Sequence, residues 1–200
     1  FLGGGLLVVA ALPLAWVFVL DNIQKERFLA LAYPELYTDV IYQQERGMAA
    51  LGGGGITGQG LFQGRLTQTP DAIPEAENDM IFTVIGEELG LVGTVLALLL
   101  LTFIVIRIIR TGRHDNIGNT KVMCYGVAAM IAGQVIINVG MCLMLLPVIG
   151  ITLPFFSAGG SSNICIYFSI GLILSFYRYN QQRDLIHVSQ QNIYNPFSEI

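Results

Sequence analysis

Four long uncharged or nearly uncharged runs, separated by polar connections, set the pattern of this chain. A bilayer core of about 30 Å takes about 20 helical residues, so the opening run FLGGGLLVVAALPLAWVFVL predicts a span over residues 1–20. No charge falls between Leu89 and Ile106, and Met80–Gly86 prolongs that run past the Glu87–Glu88 pair, predicting a second span over 79–106. The stretch from Lys121 to Arg178 carries no charge between its ends, too long for one helix and enough for two. Its break is placed by PVIGITLPFFSAGGSS, whose prolines and glycines interrupt a helical pattern. Spans are therefore expected over 122–146 and 160–177 around a turn at 147–159. The fold class is an all-α polytopic membrane protein with four transmembrane helices and one large loop, residues 21–78. Phe1 lies inside the first run, and the expectation from this is a portion of a longer chain. A cleaved leader fits poorly, because no basic start is present and Pro13 and Trp16 stand where small residues precede a cleavage site.

Composition agrees: 54% of residues are hydrophobic and 12% charged, outside the balance of soluble domains. The net charge of −4 matters less than its distribution. The connection 107–121 holds Arg107, Arg110, Arg113 and Lys121 against one acid, and the tail 178–200 adds Arg178 and Arg183. The loop 21–78 holds four basic residues against eight acids. By the positive-inside rule the connection and tail are cytoplasmic, and the long loop and the turn at 147–159 face outward. The spans starting near Asp79 and Ser161 then point their N-terminal, dipole-positive ends outward. Nucleic acid is excluded as a partner, since no basic patch with interleaved aromatics occurs. Cys124, Cys142 and Cys165 sit in apolar stretches without CxxC spacing and read as buried, reduced thiols. His114 and His187 lie far apart in polar segments and make no metal pair.

The candidate chemistry is concentrated in IPEAENDMIFTVIGEELG, residues 73–90, with Glu75, Glu77, Asp79, Glu87 and Glu88. Asp79 has a structural reading as a helix cap. Glu75 precedes it by four residues, and on one helix the two carboxylates would share a face; repulsion would raise a pKa there and the helix dipole would lower it. Glu87 and Glu88 lie about two turns into the span, where an unpaired carboxylate costs on the order of 3 kcal/mol, so each is expected to face a cavity or a partner. Gly86 and Gly90 flank them in GxxxG spacing that admits another helix. Gln134 and Asn138, one turn apart, read as interhelical hydrogen-bond glue. GGGITG at 53–58 matches a dinucleotide fingerprint in letters only, because no strand precedes it; a flexible turn, a tightly turned loop or a close backbone approach to a ligand fits it better. These residues outline an outward-facing site suited to an anion.

The same residues resemble the shape, elongation, division and sporulation (SEDS) family, that of RodA, FtsW and SpoVE. Gln24 and Arg27 match its Q-x-x-R after a span, and the likeness runs through YQQERGMAALGGGGITGQGLFQG and LTQ. PEAENDMIFTVIGEELGLVG is similar to P-E-x-H-T-D-F-I-F-A-x-I-G-E-E-L-G, and GITLPFFSAGGSSN to G-V-x-L-P-F-x-S-Y-G-G-S-S. The resemblance implies the last four spans of a ten-span bundle and a peptidoglycan glycosyltransferase that polymerises lipid II during elongation, division or sporulation. It puts the catalytic aspartate on Asp79. Substrate contacts are implied for Glu75, Arg65, Thr67, Gln68, Ser157, Gly159, Gly160, Ser161 and Ser162. It leaves room for a divalent cation, Mg or Mn, and implies a class B penicillin-binding protein transpeptidase as partner beside the membrane lipids. The chain differs from the family pattern at Glu77-Asn78, where His-Thr is usual, at Ala158 in place of tyrosine, and at Leu66 in place of glycine. Two other readings stand beside it. A lipid-precursor flippase or proton-coupled transporter would use Glu87, Glu88, Gln134 and Asn138 as a polar path. A non-enzymatic scaffold for a transpeptidase would leave Asp79 a cap.

Overall fold

A computed structural model describes residues 21–69, 72–114 and 118–194, so the span expected over 1–20 lies outside the described residues. Every regular element among them is helical: α1 is Asn22–Ala32, a short 3-10 turn covers Pro34–Leu36, α2 is Thr38–Gly53, α3 is Ile81–His114, α4 is Gly118–Cys142 and α5 is Gly160–Tyr194. Three helices are long and apolar enough to cross a bilayer, over Ile81–Arg113, Thr120–Cys142 and Gly160–Tyr179. This is a polytopic helical membrane protein. Residues 107–114, read from their charge as a connection, continue α3, where Arg107, Arg110 and Arg113 suit the negative end of the helix dipole. Residues 143–146, expected within a span, are turns. There Gly140 offers its carbonyl to the N–H groups of both Leu145 and Leu146, and Met144 takes a left-handed φ of 58°.

The chain groups into two compact units, one running to Thr94 and including Ile137–Ile151, the other made of Val95–Ile136 and Thr152 onward. In the first, the polar segment after residue 20 is helical because its ends are capped. The Asp21 side chain accepts from the Asn22 N–H at 2.8 Å while the Gln24 side chain accepts from the Asp21 N–H at 3.2 Å, and α1 starts there. Helix α2 buries Ile41, Gln44, Gly47 and Ala50, a spacing of three that makes one face. Gln44, buried, donates to the Met141 and Leu146 carbonyls at 2.9 and 2.7 Å.

Helix α3 leaves helical geometry inside at Gly90 (φ 68°, ψ −163°). Such a break strands two carbonyls and two N–H groups, and here the glycine-rich loop takes them all. Gln59 and Gly60 donate to the Glu87 and Glu88 carbonyls at 2.9 Å each, while Leu91 and Val92 donate to the Gly55 and Ile56 carbonyls at 2.9 and 3.2 Å. The approach is backbone on backbone. A β-carbon on Gly54 would meet the Gly86 carbonyl, and one on Gly58 (φ 80°) the Glu88 carbonyl. The glycines of GGGITG thus serve a close approach to α3 itself, and what lies against Gly86 and Gly90 is α2 and its loop. Gly58→Ala, which adds a clash to a strained φ, is expected to destabilise by at least about 2 kcal/mol. Thermal unfolding in detergent measures it.

In the second unit Ile108, Cys124, Ala128, Ile131 and Ile173 form a buried apolar cluster. Cys124 and Cys142 are buried as expected, but Cys165 is exposed, on a face with Ile164 and Phe168 (70% and 67% exposed).

Candidate functional site

Residues 74–80 form a turn ahead of α3. Glu75 holds a left-handed φ of 54°, and its carbonyl accepts from the N–H groups of Asn78, Asp79 and Met80 at 3.0, 3.1 and 3.3 Å. Helix α3 begins only at Ile81, so Glu75 and Asp79 share a turn rather than a helix face. Asn78 Nδ2 donates to Glu75 Oε2 at 2.6 Å. The Asp79 carbonyl accepts from Asn138 Nδ2 at 2.7 Å, and the same amide donates to the Ile151 carbonyl at 2.7 Å. Asn138 therefore fastens the turn to the segment after α4. That segment meets the carboxylate at Gly150 (φ 78°), where a β-carbon would stand 3.3 Å from Asp79 Oδ2. No described residue donates a hydrogen bond to the Asp79 carboxylate, so it is not used as a cap.

Asp79 is half-buried. Its pKa lies above the ordinary aspartate value because burial penalises the charged form and Glu75 repels it; Arg27 opposes both. Repulsion and burial prevail over the cation. Arg27 is held by a bond from Nη1 to the Val148 carbonyl at 2.7 Å, and it lines a cleft of about 280 Å³ with Glu26, Tyr42, Gln43, Pro74 and Val148. A second, open polar cleft of about 420 Å³ is lined by Thr67, Gln68, Glu75, Glu77 and Asn78 among others. Thr67 Oγ1 is buried there without a partner among the described residues. Arg65 is exposed and lines neither cleft; its N–H donates to Gln59 Oε1 at 3.0 Å.

Glu87 is 1% exposed and Glu88 6%. The Glu87 carboxylate accepts from the Leu66 and Thr67 N–H groups at 2.8 Å each, and from Gln59 Nε2 at 3.4 Å. Glu88 accepts from Gln68 Nε2 at 3.4 Å. Gln134 Oε1 is buried without a described partner, unlike Asn138. The serine-glycine turn belongs to the second unit and is closed locally. Leu153 N–H donates to Ser157 Oγ at 2.7 Å, Asn163 Nδ2 to the Ser157 carbonyl at 2.8 Å, and Thr152 Oγ1 to Ser162 Oγ at 3.0 Å. Gly159 accepts from the Asn163 N–H, and Gly160 and Ser161 open α5, exposed. Sequence reasoning missed the nearness of Arg27 to Asp79 and the anchoring by Gln44 and Gln59. Only the Q-x-x-R motif hinted at the first. Among the described residues no three His, Cys, Asp or Glu side chains gather as candidate metal ligands.

The sequence profile FTSW_RODA_SPOVE, described as cell cycle protein, matches residues 2–182. The chain belongs to this family. It is 34% identical over 171 residues to the probable peptidoglycan glycosyltransferase FtsW of Geobacter metallireducens, covering 84% of this chain and 45% of that protein. It is 32% identical over 178 residues to the peptidoglycan glycosyltransferase MrdB of Escherichia coli K12, covering 88% and 47%. A solved chain from a peptidoglycan synthase complex, studied for its coordination of polymerization and crosslinking, superposes with a TM-score of 0.68 at 29% identity, covering 88% of this chain and 48% of that one. The chain thus spans just under half the length of these relatives. Membership of the FtsW, RodA and SpoVE family, with the apolar helices, makes it a multi-pass protein of the bacterial cytoplasmic membrane.

Proposed function

We propose that this chain supplies the catalytic carboxylate and the surrounding rim of a peptidoglycan glycosyltransferase that polymerises lipid II. The 4-hydroxyl oxygen of one sugar attacks the anomeric carbon of another, Asp79 takes the hydroxyl proton, and the bond to undecaprenyl pyrophosphate breaks with inversion. A sugar hydroxyl is a weak nucleophile at neutral pH, so a positioned proton acceptor contributes about 10²- to 10⁴-fold. The observation that carries this reading is the condition of Asp79: half-buried, unclaimed by any described hydrogen-bond donor, and raised in pKa so that it accepts a proton more readily. Arg27 offers positive charge near it toward the departing pyrophosphate. The cleft with Gln68, Glu75 and Asn78 presents amide and carboxylate groups suited to sugar hydroxyls.

The basic residues closing α3 support a cytoplasmic placement of the connection after it, and so an outward Asp79. Likeness to a chain of a peptidoglycan synthase complex supports a transpeptidase partner of the class B penicillin-binding type. A transporter path draws no support from the Glu87 carboxylate and the Asn138 amide nitrogen, both of which are committed to backbone partners. The test is the pH profile of polymerisation by the full-length protein. Because the base must be ionised, Glu75→Gln removes a repelling charge and moves the acid limb to lower pH; Arg27→Gln moves it to higher pH. A limb that stays put in both variants would mean that another group titrates.

A further inference from the structure

We propose that the apolar part of the glycine-rich loop, residues 54–62, lies at hydrocarbon depth and seats Ile56, Leu61 and Phe62 among the acyl chains of the surrounding bilayer. Depth comes from the backbone: the loop takes the N–H groups of Leu91 and Val92, and these residues begin the outward-facing apolar part of α3, each 59% exposed. The first two turns of α3, by contrast, are largely covered by protein, with Phe82, Thr83, Ile85, Glu87 and Glu88 buried. Exposure agrees, for Ile56, Leu61 and Phe62 are 69%, 60% and 80% exposed. Phe62 also holds φ at 58°, a conformation unfavourable for a bulky side chain. Three large apolar side chains this exposed are unfavourable in water and favourable in hydrocarbon.

Irregular backbone at membrane depth requires partners within the protein. The loop has them: Gln59, Gly60, Leu66 and Thr67 donate to Glu87 or Glu88, and Arg65 donates to Gln59. Arg65 and Gln63, exposed on the same stretch, suit phosphate headgroups at the boundary. Acyl chains are the occupant because the apolar edge of the loop continues the lipid-facing residues of a span. The inference rests on that span and not on the role of Asp79. One consequence is a depth for the site: Ile81–Leu89 rises about 13 Å as a helix, which sets Asp79 above the hydrocarbon, level with lipid headgroups.

The test is spin-label accessibility in full-length protein freed of its exposed thiols, Cys165→Ala included, in vesicles of phosphatidylethanolamine and phosphatidylglycerol. Labels go on Phe62→Cys, on Glu45→Cys as the aqueous reference and on Leu99→Cys as the lipid reference. The label at 62 is expected to collide with oxygen as at 99 and to lose the nickel-chelate accessibility seen at 45. Nickel accessibility equal to that at 45 would put the loop in water and overturn the proposal. Protection from both reagents would show a protein surface covering it and overturn the proposal equally.

Discussion

Asp79→Ala in the full-length protein is expected to lower glycan synthesis from purified lipid II by about 10²- to 10⁴-fold, with thermal unfolding in detergent unchanged. The separation follows from which atoms of the residue hold the fold. The main-chain carbonyl of Asp79 accepts the Asn138 amide, and the main-chain N–H donates to Glu75; alanine keeps both. The carboxylate takes no hydrogen bond from a described residue, and the burial and Glu75 repulsion that penalise it are opposed by Arg27, so its removal takes no hydrogen bond from the fold. Asp79→Asn, of nearly the same shape but unable to accept the proton, should fail as badly. Polymerisation at the normal rate by either variant would remove Asp79 from the chemistry. A matching fall in unfolding temperature would make it structural.

Glu87→Ala is expected to do the reverse. Its carboxylate is almost fully buried and receives two backbone N–H groups at 2.8 Å. Deleting it orphans both donors in a dry site, at about 1–3 kcal/mol each. A total of about 2–6 kcal/mol is a large part of the stability of a typical domain. The unfolding midpoint in detergent should drop by many degrees, and activity should fall in proportion to the folded protein recovered. Glu87→Gln keeps one acceptor oxygen and turns an amide toward the second donor, so it should lie between. A Glu87→Ala protein with a normal midpoint and no activity would transfer Glu87 from the fold to the chemistry. Gly64→Ala should resemble Glu87→Ala in kind, because a β-carbon there would stand 2.8 Å from Glu87 Oε2 and would also meet the Thr67 hydroxyl.

The apolar helices were legible in the chain because membrane burial imposes a length on uncharged runs, and the long run from Lys121 to Arg178 had to hold two of them. Family membership was legible too, through PEAENDMIFTVIGEELGLVG and GITLPFFSAGGSSN. Less was legible inside the site. Glu87 and Glu88 are adjacent and chemically alike, and nothing local says that the first would carry most of the loop's bonds. The four-residue interval from Glu75 to Asp79 suggested a helix face, but a left-handed Glu75 closes a turn instead. Arg27 lies far from Asp79 in sequence, and only the fold brings its charge within electrostatic reach.

Sequence alone therefore determined what must be buried in lipid and which acids stand near a span end, since both follow from local composition and a fixed rise per residue. Tertiary structure decided that the Asp79 carboxylate takes no hydrogen bond from a described residue, what the glycines approach, and the direction in which the Asp79 pKa moves. Those outcomes depend on backbone groups brought together from distant segments, and periodicity carries no record of that.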